Sequence, residues 1–270
     1  MEYLIAVDLE GVHGVVGEPY QGLGRVSCPE EYQKAVAAAT KEVNAAVAAL
    51  FDSGATKVCV WDNHGGGGNL DFSLIDSRAQ QVKPDNSRPR MEFLSEHDFK
   101  GLVYIGYHCK DGTINGVLAH TFSSVNMQYY KINGQAKGEL DFDTCIAGSY
   151  GVPAIFAASD DLCVQQMQEC NPDTVTVITK YAKGRNKADF RDSDEVVRDI
   201  YEGVKRAVKA NIQPITMQFP CQIEIRYTRM EMSAWILESR KAALDSLQYG
   251  DDAHILTATL KDIDDLRVCI

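Results

Sequence analysis

The chain has 270 residues, with 27 Lys+Arg against 38 Asp+Glu and a formal net charge of −11. Apolar residues make up 45% and charged residues 24%, a globular balance that excludes intrinsic disorder and can build a core without covalent staples. The acidic excess argues against a nucleic-acid groove, which clustered lysine and arginine would line, and fits a protein that gathers carboxylates around cations.

Tyr3–Asp8 opens the chain as an apolar run without alternation, the pattern of a strand buried on both faces. A glycine-containing loop follows to about Cys28. Pro29-Glu30-Glu31 then opens a helix that runs to Phe51 and stops at Ser53-Gly54. Thr56–Trp61 is a second buried strand, ending in Asp62-Asn63-His64 and four glycines. Strand, helix and strand of this length form a βαβ unit with parallel strands. The polar stretch Lys83–Arg90 marks a surface loop or a boundary. Gly101–Gly106 is a third buried strand, ending in Tyr107-His108.

Val125–Ile132 alternates and breaks at Asn133-Gly134, a hairpin signal. Beyond it the pattern predicts helices over 139–148, from Asp160 or Asp161 to 170, over 193–209 and over 231–244. Strands are predicted over 153–158, 174–179, 222–227 and 255–260. The class is α/β, with a largely parallel central sheet, flanking helices and a smaller α/β portion in the C-terminal half. Residues 1–82 read as an N-terminal βαβ metal-binding portion and 83–270 as the remainder of the catalytic fold, as one continuous domain or as two. No stretch approaches the ~18–20 consecutive apolar residues of a membrane helix. The N-terminus lacks the basic region and cleavage site of a signal peptide, and eight scattered cysteines without a C-x-x-C pair read as reduced thiols. A cytoplasmic location is expected, with neither membrane nor nucleic acid as a partner.

In open α/β sheets ligands bind beyond the carboxyl ends of the strands. Three such ends carry Asp8-Leu9-Glu10, Asp62-Asn63-His64 and His108, a mixture of carboxylate and imidazole that suits Zn²⁺, with Mn²⁺ or Co²⁺ as alternatives. Each residue also has a plainer reading. Asp8 and Asp62 can simply start loops, and His64 or His108 can be a hydrogen-bonded structural residue. Asp62 can alternatively orient a ligating histidine. The glycines at 65–68 lack the Gly-Lys-Ser/Thr ending of a phosphate loop and read better as backbone passing close to the site. Without a G-x-S-x-G elbow or an H-E-x-x-H helix, a metal-activated water is the favoured attacking group. Little basic charge beyond Lys110 is expected near these residues.

Asp8-Leu-Glu-Gly11, Asp62-Asn-His64, Gly106-Tyr-His108, Gly116-Val-Leu-Ala-His120 and Gly138-Glu139-Leu140 occur in that order. Together with Ala157–Asp161 they resemble the D-aminopeptidase family, peptidase family M55, over residues 3 to about 165. The resemblance implies a dinuclear zinc peptidase that removes an N-terminal D-amino acid from short peptides. It implies Asp8, Glu10, His64, His108 and Glu139 as metal ligands and His120 as a catalytic residue outside the ligand set; five ligands for two ions call for a bridging carboxylate, and the central strand-end position of Asp8 makes it the expected bridge. It also implies a ring-shaped homo-oligomer that encloses its active sites. By pattern alone, Glu139 is a helix-start carboxylate and His120 a partly buried core histidine. His13, His97 and His254 carry no such support. Asn63 in place of serine, the glycine run after His64, and one extra residue between His108 and His120 depart from the family and bear on the substrate more than on the metals. A two-metal hydrolase of another amide or a phosphoester, and a non-catalytic metal-binding protein, are the rival functions.

Overall fold

An unbroken apolar run needs cover on both faces, and the segment after Met1 finds it at the middle of a sheet. The computed structural model describes residues 1–83, 85 and 87–270. Strand β1 (Glu2–Val7) leads through a long loop into α1 (Pro29–Asp52), which carries its proline at the first turn and Glu30 and Glu31 at its positive end. Strands β2 (Lys57–Asp62), β3 (Gln80–Val82) and β4 (Phe99–Ile105) follow. Next come the hairpin of β5 (Met127–Ile132) and β6 (Gln135–Lys137), then α2 (Glu139–Ser149), β7 (Ala154–Ser159) and α3 (Asp161–Cys170). The chain continues through β8 (Val175–Ile178), the hairpin of β9 (Lys180–Gly184) and β10 (Lys187–Phe190), and α4 (Ser193–Lys209). It ends with β11 (Cys221–Tyr227), α5 (Met230–Arg240), β12 (Gln248–Tyr249), β13 (Ile255–Leu260) and α6 (Ile263–Cys269).

Six parallel strands form one sheet in the order β3-β2-β1-β4-β7-β8, and five antiparallel strands form another in the order β12-β13-β11-β5-β6. The first sheet is the predicted parallel core. On one face, Ile5, Val7, Val60 and Val103 share a buried cluster with Ala39 and Val43 of α1 and Ile200 of α4. On the other, Leu4, Ala6 and Tyr104 join Phe142 of α2, Met167 of α3 and the inner residues Tyr130, Ile223 and Ile225 of the antiparallel sheet. Each such side chain taken fully out of water contributes on the order of 1.5–3 kcal/mol. Among the described residues, no helix is long and apolar enough to cross a membrane.

The predicted hairpin turn is in place, with Asn133 and Gly134 both at positive φ. Asp160 caps α3 through the amides of Leu162 and Cys163. Helix α5 stops at Arg240 rather than Leu244, because Lys241 Nζ turns back to bind the carbonyls of Asp245 and Leu247, each at 2.6 Å. Five of these elements were not foreseen: β3, β9, β10, β12 and α6.

The loops after β1 and β4 interlock. Gly11 N donates to Gly106 O at 2.7 Å, and Gly106 sits at φ +75, where a Cβ would run into the Asp8 carbonyl. Gly106→Ala is therefore expected to destabilise the protein by about 2–4 kcal/mol in urea unfolding, from backbone strain plus overpacking. A cost below about 1 kcal/mol would mean that the two loops move apart freely.

Candidate active site

The order of the parallel sheet reverses at β1, with β2 on one side and β4 on the other, and this opens a crevice at their carboxyl ends. β1 delivers Asp8 and Glu10 to it, β2 delivers His64, and β4 delivers His108. Glu139, the first residue of α2, turns its carboxylate into the same crevice, where Oε1 accepts from Phe122 N at 2.7 Å. His120 arrives on the connection between β4 and β5. Five of the six residues singled out from the sequence thus line one cavity of about 350 Å³, and the sixth, His108, is buried beside it against Asp8 and Glu139.

Its centre is Asp8. Oδ1 lies 3.0 Å from His64 Nδ1, and Oδ2 lies 3.6 Å from His108 Nε2. Glu10 Oε2 is 3.2 Å from the same His64 nitrogen, while Glu139 Oε1 is 3.3 Å from His108 Nε2. Donor atoms of Asp8, Glu10 and His108 all lie within 4.8 Å of one another, as do those of His108, His120 and Glu139. The imidazoles of His108 and His120 are stacked, with centroids 3.9 Å apart at 14°. His108 Nδ1 donates to the Cys109 carbonyl at 3.0 Å and His120 Nδ1 to the Leu118 carbonyl at 2.8 Å. Because a carbonyl only accepts, each bond fixes the tautomer and turns Nε2 toward the cavity.

Asp8, Glu10, His108 and Glu139 are only 3–7% exposed, so their charges are felt at short range in a poorly solvated place. Burial and the neighbouring Glu10 push the Asp8 carboxyl up to about 7. Burial works the same way on Glu139, but the charge and hydrogen bond of His108 outweigh it and hold Glu139 down at about 2. Glu10 is likewise held below the usual carboxylate range, by His64 against its own burial. Burial would lower His64 and His108, yet the carboxylates raise them to about 12 and about 10. Burial and the adjacent His108 charge lower His120, which leaves its imidazole neutral. Three carboxylates that hold protons on two histidines form a site built for positive charge. The mixed nitrogen and oxygen donor set fits divalent zinc-like ions.

The sequence profile of the D-aminopeptidase family, Peptidase_M55, matches residues 1–244. The chain belongs to the D-aminopeptidase family. Its enzyme class is accordingly that of a metallo-aminopeptidase, as the motifs implied, and the match reaches well past residue 165, where the ordered motifs end. A D-aminopeptidase of Bacillus subtilis (strain 168) is 25% identical over 237 residues, 87% of this chain and 84% of that protein. The fold matches, at a TM-score of 0.85 and 23% identity, the structure described as Zn-dependent D-aminopeptidase DppA from Bacillus subtilis, a self-compartmentalizing protease; the match covers 99% of this chain and 94% of that one.

Around this crevice stand further residues that the sequence did not announce. Arg90 binds Asp143 through Nε at 2.6 Å and Nη2 at 2.8 Å, lies 4.0 Å from Glu139, and sits between the rings of Trp61 and Phe122. Tyr107 OH donates to Asp143 at 2.7 Å and accepts from Asn63 Nδ2 at 3.0 Å. Lys180 is fully buried, and its Nζ donates to the carbonyls of Glu10, Val12 and Val15, fastening the loop that carries Glu10.

Two expectations are corrected. Arg90 was placed in a surface loop or boundary, and little basic charge was expected near the ligands. Arg90 and Arg185 in fact line the cavity, whereas Lys110 does not. Pro84 and Asn86 of that stretch lie outside the described residues. Of the open alternatives, Asp62 closes the glycine loop rather than orienting a histidine: it accepts from the amides of Asn69 and Leu70 and from the Asn69 side chain. His13 points away, with Nε2 donating to the Arg191 carbonyl at 2.8 Å, and His97 and His254 are bonded elsewhere.

Proposed function

We propose that the protein removes the N-terminal residue, in the D configuration, from short peptides, using two zinc ions that Asp8 bridges. Glu10 and His64 would complete one ion's protein ligands, and His108 and Glu139 the other's. The observation that carries this reading is the division of Asp8, whose Oδ1 faces His64 at 3.0 Å while Oδ2 faces His108 at 3.6 Å. Five ligands cannot saturate two ions, so positions stay open for water and substrate. When bound, the ions lower the pKa of a water toward neutrality and polarise the scissile carbonyl.

The chain's own groups supply the rest. His120 is neutral with its Nδ1–H committed to Leu118, so Nε2 is free to take a proton from the attacking water and return it to the departing amine. The free α-amine of the substrate would ligate a metal or meet a carboxylate, which limits cleavage to the first residue. Exposed Ile114, Val125, Met230 and Trp235 offer apolar surface for a ring-shaped homo-oligomer of the self-compartmentalizing kind. Eight free thiols, six of them buried, suit the reducing cytoplasm.

The reaction is tested by release of free amino acid from matched D- and L-N-terminal dipeptides, with zinc-loaded and chelated protein. Chelator-sensitive cleavage of the D series alone supports the reading, and equal cleavage of both removes the stereochemical part. Failure to cleave either series removes the peptidase assignment. Metal uptake supplies an independent check. His64 and His108 hold protons up to about 12 and about 10 in the metal-free protein, so ligation must displace both. Zinc affinity at each of the two sites should therefore climb by about 10-fold per pH unit between pH 7 and 9, since each site displaces one histidine proton and each displaced proton is worth a factor of ten. A flat pH profile in competitive titration would exclude the two histidines as ligands.

A further inference from the structure

The cavity carries both signs of charge. Carboxylates of Asp8, Glu10 and Glu139 and the guanidinium groups of Arg90 and Arg185 all line it, with Arg90 4.0 Å from Glu139. Arg90 is already engaged by Asp143 in a two-pronged pair. Arg185 makes a single bond, from Nη1 to the Ala119 carbonyl at 2.8 Å, and pairs with no carboxylate among the described residues. Its Nε and Nη2 donors stay open.

Although it sits on an exposed turn, the root of Arg185 is held fast. Its carbonyl accepts from Leu118 N at 2.8 Å, and Asn186 Nδ2 donates to the Val16 carbonyl at 2.8 Å. The hairpin begins at the buried Lys180, tied to the carbonyls of Glu10, Val12 and Val15. The turn therefore delivers a rigidly rooted guanidinium beside the His120 loop. Among the described residues it is the arginine of the cavity wall that no carboxylate already neutralises, and so the one free to pair with an anionic group of the substrate.

We propose that Arg185 receives the free C-terminal carboxylate of the substrate, so that the enzyme reads a short peptide from both ends. This rests on the aminopeptidase reading and narrows its substrate class to dipeptides and peptides of similar length. The volume agrees, because 350 Å³ lies near the lower end of the roughly 300–1,000 Å³ range of ligand pockets. The planar fork of arginine also matches a carboxylate better than an ammonium does.

The experiment compares D-alanyl-glycine with D-alanyl-glycinamide on zinc-loaded wild type, Arg185→Gln and Arg185→Lys. The wild type should prefer the free acid by about 10- to 100-fold in KM, the range of one charge-assisted contact. Arg185→Gln should lose that preference through a higher KM for the acid, with its kcat and the kinetics of the amide little changed, and Arg185→Lys should keep part of it. Equal use of acid and amide by the wild type overturns the proposal. An equal loss on both substrates in Arg185→Gln also overturns it, because Arg185 would then act only by holding the Ala119 carbonyl next to His120. If the wild type hydrolyses neither peptide, the aminopeptidase reading fails separately. Calorimetric titration of the same peptides then decides the carboxylate site: tighter binding of the acid only when Arg185 is present upholds it, and equal binding overturns it.

Discussion

Asp8→Asn is expected to empty both metal positions and abolish hydrolysis, while Glu10→Gln and Glu139→Gln each weaken one ion more than the other. The asymmetry follows from where the oxygens point. Glu10 makes its short contact with His64, at 3.2 Å, and Glu139 makes its own with His108, at 3.3 Å. Asp8 alone presents one oxygen to each histidine. An amide keeps the shape but lacks the charge and the second anionic oxygen that a bridging ligand needs. Metal content by mass spectrometry under native conditions checks this directly. If Asp8→Asn keeps one tightly held ion, as Glu10→Gln is expected to do, the bridge is wrong and the two halves are independent.

His120→Asn should behave in the opposite way, keeping its full complement of zinc and losing about 10²–10⁴ in kcat, the usual worth of a positioned acid–base group. Its stacking on His108 at 3.9 Å and its bond to Leu118 place the ring, while its neutral Nε2 faces the cavity. The geometry also gathers His120 with His108 and Glu139 closely enough for a shared ion. Metal content therefore separates the two roles. Loss of an ion in this variant would move His120 into the ligand set, and an unchanged rate would remove it from the reaction. The pH dependence of kcat gives a further sign: the acidic limb, which reports protonation of His120 below neutrality, should disappear in the variant.

Four of the six candidate residues were legible because a physical rule connects them. Buried parallel strands are conspicuous as unbroken apolar runs, and whatever follows each run is delivered to the same rim of the sheet. Asp8, Glu10, His64 and His108 obey that rule. Glu139 and His120 do not, since they lie on the excursion to and from the antiparallel sheet, and nothing in their local pattern says which way that excursion folds. Only the ordered motifs identified them. Arg90 was hidden by its neighbours, because Lys83–Arg90 is as polar as any surface loop although its last residue is drawn under Trp61 and Phe122 by Asp143. The β9–β10 hairpin escaped notice for a related reason. Its inward residue is Lys180, and a lysine with no solvent exposure runs against the expectation that charge faces water. Helix α6 is seven residues long, too short for a periodic signal, and depends on Asp262 capping the amides of Asp264 and Asp265.

The walls of the cavity and its ionic heart belong to different parts of the molecule. Asp8, His64 and His108 follow directly from strands clamped in the central sheet, whereas Leu23, Gly65, Leu118, Ser123 and Arg185 stand on loops and turns. Loops accept insertions and exchanges at little cost to the folded state, and buried strand ends do not. A lineage can therefore alter what the cavity accepts by editing a handful of loop positions while the strand-end residues stay unaltered. The glycine run after His64 stands on this editable side of the division, whereas Asn63, buried and bonded to Tyr107, does not.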